Sequence, residues 1–187
     1  MKCFKRITNM ALAKEWMRKD PFYGYKMAQD ETDPVFLTYP ELKSIMEKEF
    51  TIPRLTLVRD IFVFAAFTGL AFADVSTLTK DNLVQDNNGD WWIRKGRVKL
   101  ERRHRASSVC NIPLLPVPLA ILKKYEEHPI CRKKSLCLPV ICNQRMNSYL
   151  KEIADLCNIR KNLTTHTARH TFCLLYTSPS PRDGLLS

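Results

Sequence analysis

The run Leu55 to Phe67, LTLVRDIFVFAAF, constrains the fold more than any other stretch. It is apolar on nearly every face of a helix, and such a helix has to be buried on all sides. It is therefore read as the helix at the centre of a domain, with Thr68-Gly69 as its stop. At 187 residues, 45% of them hydrophobic, the chain has the apolar material for one sizeable core around that helix and a small appendage.

The remaining pattern supplies what packs around it. Thr38-Tyr39-Pro40-Glu41 offers a helix start, with Thr38 as N-cap and Glu41 as its capping-box partner, and the helix runs to about Phe50. A short helix follows from about Ala73 to Leu78. Leu119 to Tyr125 reads as helical after a break at Pro113 to Pro118, and Ser135 to Val140 as short and extended. Asn143 is expected to cap an amphipathic helix with Met146, Leu150, Ile153, Leu156 and Cys157 on one stripe. Thr164-Thr165 then starts a last helix, His166 to about Leu174.

Between these helices the period changes. Leu83 to Gln85, Trp91 to Val98 and Ser107 to Ile112 read as three strands, with Asn88-Gly89 as a hairpin turn. Of the adjacent Trp91 and Trp92, one should pack on the helical core and the other face the surface. The expected fold class is mainly α with a small three-stranded antiparallel β-sheet (α+β). Upstream, residues 3 to 19 suit one amphipathic helix with a basic face, stopped by Asp20-Pro21, and 20 to 37 read as a linker. A lone helix cannot bury its own face, so residues 1 to 19 are read as the end of a larger N-terminal domain.

Lys and Arg number 30 against 19 Asp and Glu, a net charge of +11 that favours a polyanionic partner by counterion release. Charge alone also fits an RNA-binding or ribosomal protein. The excess concentrates in Arg94, Lys95, Arg97, Lys99, Arg102, Arg103 and Arg105, against the single acid Glu101, which is either a DNA-facing surface or a solvated hairpin. Seven Cys without a Cys-x-x-Cys pair, and without His at zinc-finger spacing, read as free thiols in a reducing cytoplasm, with no metal site. No run approaches the length of a membrane span.

Two patterns could carry chemistry. In THTARHTF, His166 and Arg169 project from one face of a helix and could donate to the nonbridging oxygens of one phosphate. Alone, His-x-x-Arg equally describes a surface pair, and His170, one turn on, reads first as a structural histidine. A hairpin lysine can protonate a leaving oxygen as general acid. Lys99 and Lys95 are the candidates, and the bland alternative for either is nonspecific phosphate attraction.

The order of these features carries a resemblance. A buried helix ending TGLAFADVSTLT, a basic three-stranded sheet and a later HTARHTF resemble the catalytic domain of tyrosine recombinases, the phage-integrase-like family, most closely those of Bacteroides-type mobile elements. The resemblance covers about 38 to 172, with 1 to 19 similar to the last helix of the preceding core-binding domain. It implies transesterification of double-stranded DNA without cofactor or metal, through a 3′-phosphotyrosine, by tetramers on paired sites in a bacterial cytoplasm. It also implies roles for His166 and Arg169 as the phosphate-gripping pair, for Lys99 as general acid and for Asp74 as a supporting acid.

Three departures qualify it. Ala71 stands where the family carries its first catalytic Arg, as Bacteroides-type relatives also tend to show. Arg97, two residues before Lys99 and so on the same side of a strand, is the expected substitute. The family's Leu-Gly-His segment and nucleophilic Tyr do not follow HTARHTF, and Tyr176 comes too early to be that nucleophile. Residues 173 to 187 resemble nothing in the family and are expected to be a non-native tail, the domain being C-terminally truncated at Phe172. The competing reading is a basic DNA-binding module without catalysis, for which Ala71 and the missing Tyr argue. An RNA-binding protein lacks support, since no aromatic RNP-like stretch is present.

Overall fold

The computed structural model describes residues 2–24, 34–96 and 109–176. The chain divides into two units, Met1–Asp33 and Pro34–Ser187. In the first, helix α1 (Lys2–Ala13) stops well before Asp20-Pro21. Glu15 turns left-handed at φ 58°, and the Trp16 and Glu15 N–H groups donate back to the carbonyls of Ala11 (2.9 Å) and Leu12 (3.0 Å). This is a Schellman closure in which glutamate occupies the usual glycine position.

The second unit runs α2 (Tyr39–Glu47), α3 (Pro53–Thr68), α4 (Phe72–Ser76), a 3₁₀ turn (Lys80–Asn82), β1 (Leu83–Gln85), β2 (Trp91–Gly96), β3 (Val109–Pro113), α5 (Pro116–Tyr125), α6 (Pro129–Lys134), α7 (Asn143–Leu156) and α8 (Thr165–Tyr176). It is mainly helical with a three-stranded antiparallel sheet in the order β1-β2-β3. Helix α3 is central as expected, packed against α2, α5, α7 and α8. Val58, Phe62, Phe64 and Ala66 point in different directions around it, yet all are buried. Leu42 and Ile45 of α2, Ile121 of α5, and Met146, Leu150 and Ile153 of α7 complete the core.

The sheet hangs on that core by Ile93, which is fully buried and lies opposite Leu83 and Ile112. Neither tryptophan takes the core position. Trp91 shares the face of Ile93 but is 39% exposed, while the Trp92 indole N–H donates to Asp86 Oδ2 at 3.0 Å. Asp86 Oδ1 also accepts from the Asn88 and Asp90 N–H groups, both at 2.9 Å, and Gly89 supplies the positive φ of 89° that closes the Asn-Gly turn.

Several boundaries differ from the sequence reading for local reasons. Helix α5 begins inside the proline stretch read as a break, because Pro116 occupies the first turn, where no N–H is needed. Helix α6 was not expected at all. His128 starts it by accepting the Ile130 N–H at 3.3 Å, and Ser135 ends it at φ 53°. The stretch read as extended, Ser135 to Val140, holds only one isolated bridge, between Leu136 and Thr79. Cys142, not Asn143, is the N-cap of α7. Asn143 lies in the first turn, and its side-chain oxygen is engaged elsewhere, with Thr165.

The capping box of α2 forms, and it reaches further than the sequence indicates. Glu41 Oε2 accepts from the Thr38 N–H (2.7 Å), the Thr38 hydroxyl (3.0 Å) and Lys161 Nζ (2.6 Å), so it ties α2 to the segment before α8. Burial pushes the carboxyl up, but the Lys161 and Thr38 hydrogen bonds outweigh it and hold Glu41 below its ordinary 4.5. A lowered folded-state value means that this stabilisation is present above pH 4.5 and fades as pH falls through the folded value. Glu41→Gln should therefore lower the urea midpoint at pH 7 and leave it nearly unchanged at pH 3, where wild type has already lost most of the difference. An equal loss at both pH values would contradict this account.

Candidate functional site

Helix α8 carries His166 and Arg169, and hydrogen bonds hold it at its start and at its middle. At its start, the Thr164 N–H donates to Thr167 Oγ1 (3.1 Å) and the Thr167 N–H to Thr164 Oγ1 (3.3 Å), a reciprocal cap. Two amides one turn apart on α7 hold the next residue. Asn147 Oδ1 accepts the Thr165 N–H at 2.9 Å, and Asn143 Oδ1 accepts the Thr165 hydroxyl at 2.8 Å. Further along, Thr171 Oγ1 donates to the Thr167 carbonyl (2.8 Å) and accepts the Leu37 N–H (3.0 Å).

These anchors settle which face is buried. Thr167, Ala168 and Thr171 turn inward. His166 is exposed, and Arg169 and His170 are half-buried on the other side. The two imidazoles meet edge-on with ring centroids 4.4 Å apart, so His170 buttresses His166. Arg169 enters no ion pair among the described residues. A half-buried guanidinium with no carboxylate among the described residues, one turn from an imidazole near a helix N-terminus, has the donor chemistry that an anion requires.

The turn after α3 packs directly on this helix. Gly69 is left-handed at φ 65°, and a Cβ there would lie 2.5 Å from Cδ1 and 2.8 Å from Cε1 of Phe172. The Thr-Gly turn is thereby held against the HTARHTF helix, and Phe72 and Val75 of α4 line one small cavity with Thr165 and Ala168. Asp74 lies in the first turn of α4 and is buried. On the hairpin, Arg94 is exposed. Lys95 is half-buried and turned back onto the protein, donating from Nζ to the Thr77 carbonyl (2.7 Å) and Asn82 Oδ1 (3.2 Å). Arg97, Lys99, Arg102, Arg103 and Arg105 lie outside the described residues.

The sequence matches no protein-family model and no curated protein. Its fold is nevertheless similar to solved structures. A XerH site-specific recombinase bound to a palindromic difH substrate, in a post-cleavage complex, aligns with TM-score 0.61 at 18% identity over 81% of this chain and 44% of that one. A Tn1549 transposon integrase in complex with circular intermediate DNA aligns with TM-score 0.61 at 18% identity, over 96% of this chain and 66% of that one. A XerA recombinase aligns with TM-score 0.53 at 15% identity, over 90% and 65%. The fold is that of a tyrosine recombinase catalytic domain. The chain spans about half the length of the XerH structures that it matches.

Within this recombinase fold, three polar arrangements are not apparent from the sequence. The Asn143 and Asn147 clamp was hidden because an asparagine at a helix start reads as a cap. The Lys95 tie was hidden because a lysine in a basic hairpin reads as solvated. The third lies in α3, where Asp60 is buried and bridges Arg59 (2.8 Å), Lys124 Nζ (2.7 Å) and the Tyr125 hydroxyl (2.8 Å). Its signal was an acid inside an otherwise apolar helix, which a buried position tolerates only when paired.

Among the described residues no three His, Cys, Asp or Glu side chains converge as metal ligands. No helix there is long and apolar enough to cross a membrane.

Proposed function

We propose that the chain is part of a tyrosine recombinase of the Bacteroides mobile-element type, which cuts and rejoins double-stranded DNA through a 3′-phosphotyrosine. The observation that carries this reading is the outer face of α8, where exposed His166 and half-buried Arg169, which enters no ion pair among the described residues, lie one turn apart on a helix fastened at its start and its middle. In the proposed reaction these two donate to the nonbridging oxygens of the scissile phosphate while a tyrosine oxygen attacks phosphorus. The bond to the 5′ oxygen breaks, and Lys99 supplies the proton that this oxygen takes up. The freed 5′-hydroxyl of another strand reverses the step, so phosphodiester bonds are conserved and no cofactor or metal is consumed.

Arg97 stands in for the guanidinium absent at Ala71, and Asp74 is a supporting acid for the basic partners. Arg94, Arg102, Arg103 and Arg105 contact backbone phosphates, and the working unit is a homo-tetramer on paired sites in the bacterial cytoplasm. The nucleophile lies beyond the HTARHTF helix in a longer form of the protein. Structures of similar fold bound to a palindromic difH substrate and to circular intermediate DNA support a DNA partner.

A suicide substrate with a nick beside the cleavage site tests this. A form extended through the downstream tyrosine should trap a covalent protein–DNA adduct, and Arg169→Ala and Arg97→Ala should abolish it. Unaffected cleavage by Arg97→Ala would remove that residue from the site. The second reading, a basic DNA-binding module without catalysis, rests on Ala71. It predicts salt-sensitive binding of duplex DNA with no adduct at all.

A further inference from the structure

Lys95 belongs to the cationic hairpin by sequence, but its ammonium is not presented to solvent like that of a phosphate-contacting lysine. It donates to the carbonyl of Thr77, the residue that closes α4, at 2.7 Å, and to Asn82 Oδ1 at 3.2 Å. Asn82 Oδ1 also accepts the Thr79 N–H (3.1 Å) and the Thr79 hydroxyl (3.3 Å), so one amide oxygen closes the 3₁₀ turn and holds the lysine. Three pieces of chain therefore meet on this side chain: the end of α4, the 3₁₀ turn and strand β2. Arg94, the preceding residue, points to the other face of the strand and is exposed.

Neighbouring contacts make the tie directional. Ile93, two residues back on the same face, is fully buried, so β2 is pinned to the core at one point and to the end of α4 at the next. The strand cannot rotate about Ile93 without breaking the Lys95 hydrogen bonds. The turn that leads into α4 packs at Gly69 against Phe172 of α8, and Phe72 and Val75 of α4 line one small cavity with Thr165 and Ala168 of α8. The chain of contacts thus runs from the His166 and Arg169 helix, through the Gly69 turn and α4, to Lys95 and the strand that leads into Arg97 and Lys99 in the sequence.

We propose that Lys95 is a positioning residue, which sets the angle at which the basic hairpin leaves the domain relative to the phosphate-gripping helix, and does not contact DNA phosphate. The proposal rests on the recombinase reading for its functional half only. Its structural half concerns the free chain.

Two measurements on the 187-residue chain and one on the extended form decide it. Lys95→Met keeps the aliphatic stem and removes the donor. In hydrogen exchange of the free chain it should lower protection of the Thr79 and Asn82 amides about tenfold, with α3 unchanged, and Lys95→Arg should restore most of it. Unchanged protection would overturn the tie. In duplex DNA binding, Arg94→Ala should reduce the slope of log affinity against log salt by about one, and Lys95→Met should leave it unaltered. A slope reduced by Lys95→Met as much as by Arg94→Ala would make it a phosphate contact and overturn the proposal. In the extended form, Lys95→Met should slow adduct formation at saturating DNA about tenfold at unchanged affinity. Lost protection with an unaltered cleavage rate would reduce Lys95 to a structural tie and also overturn the positioning role. If wild type binds no DNA, the recombinase reading fails while the exchange result still judges the tie.

Discussion

Replacing Gly69 by alanine should destabilise the domain by about 3 kcal/mol or more. Two costs add. An L-residue held at the left-handed φ of 65° costs roughly 1–2 kcal/mol. The new Cβ would also sit 2.5 Å from Phe172 Cδ1, well inside contact distance, so the ring or the helix has to move. Phe172 is half-buried on α8, whose register is fixed by four threonine side chains and two asparagines, so the helix gives way reluctantly. Urea denaturation of Gly69→Ala, Phe172→Ala and the double variant separates the costs. The double variant should be less destabilised than the sum of the singles by on the order of 1–2 kcal/mol, since removing the ring removes the clash but leaves the backbone strain. Full additivity would show that Gly69 and Phe172 do not meet.

Removal of the carboxylate in Asp60→Ala should cost about 3 kcal/mol, seen as a lowered urea midpoint with an unchanged slope. Asp60 is 5% exposed and accepts from Arg59, Lys124 and the Tyr125 hydroxyl. Without it, Arg59 retains the Lys48 carbonyl at 2.6 Å, and Lys124, close to half exposed, can turn to water. Tyr125 has no such exit, because the residue is 8% exposed. The loss therefore falls at the low end of the range for breaking a buried ion pair. Burial first, and the hydrogen bond to Asp60 second, push the Tyr125 phenol well above its ordinary 10. Asp60→Asn, which keeps the shape and removes the charge, should bring that titration down in an ultraviolet pH scan while costing less stability than alanine. A phenol that titrates alike in both proteins would contradict the pairing.

How much of this was legible in the sequence depends on the kind of interaction that decides each element. Helix α3 and the Gly69 stop were readable because hydrophobic period and glycine conformation are local properties. The Asn88-Gly89 hairpin and the Thr38 capping box were readable for the same reason. The end of α1 was not, since Glu15 adopts a conformation that its side chain does not advertise. Helix α6, six residues closed by His128 and Ser135, is too short to show a period. Pro116 and Pro118 looked like a break because proline stops a helix anywhere but its first turn. His166 and Arg169 were found as a pair by their spacing. What spacing could not give is which of their neighbours hold them, because Asn143, Asn147 and Leu37 reach α8 only through tertiary structure. The same holds for Lys95, whose two acceptors lie 18 and 13 residues away.

The fastening of α8 has a consequence for working conditions. The hydrogen bonds that fix its register, from Thr165 to Asn143 and Asn147, between Thr164 and Thr167, and from Leu37 to Thr171, join neutral groups throughout. Ionic strength weakens attraction between charges and leaves such bonds almost untouched. A polyanion held by a +11 chain comes and goes steeply with salt, while the helix proposed to receive it keeps its hydrogen bonds. On the proposed function, arrival and departure of the ligand are thus uncoupled from assembly of its receptor, and raising the salt should empty the site without dismantling it.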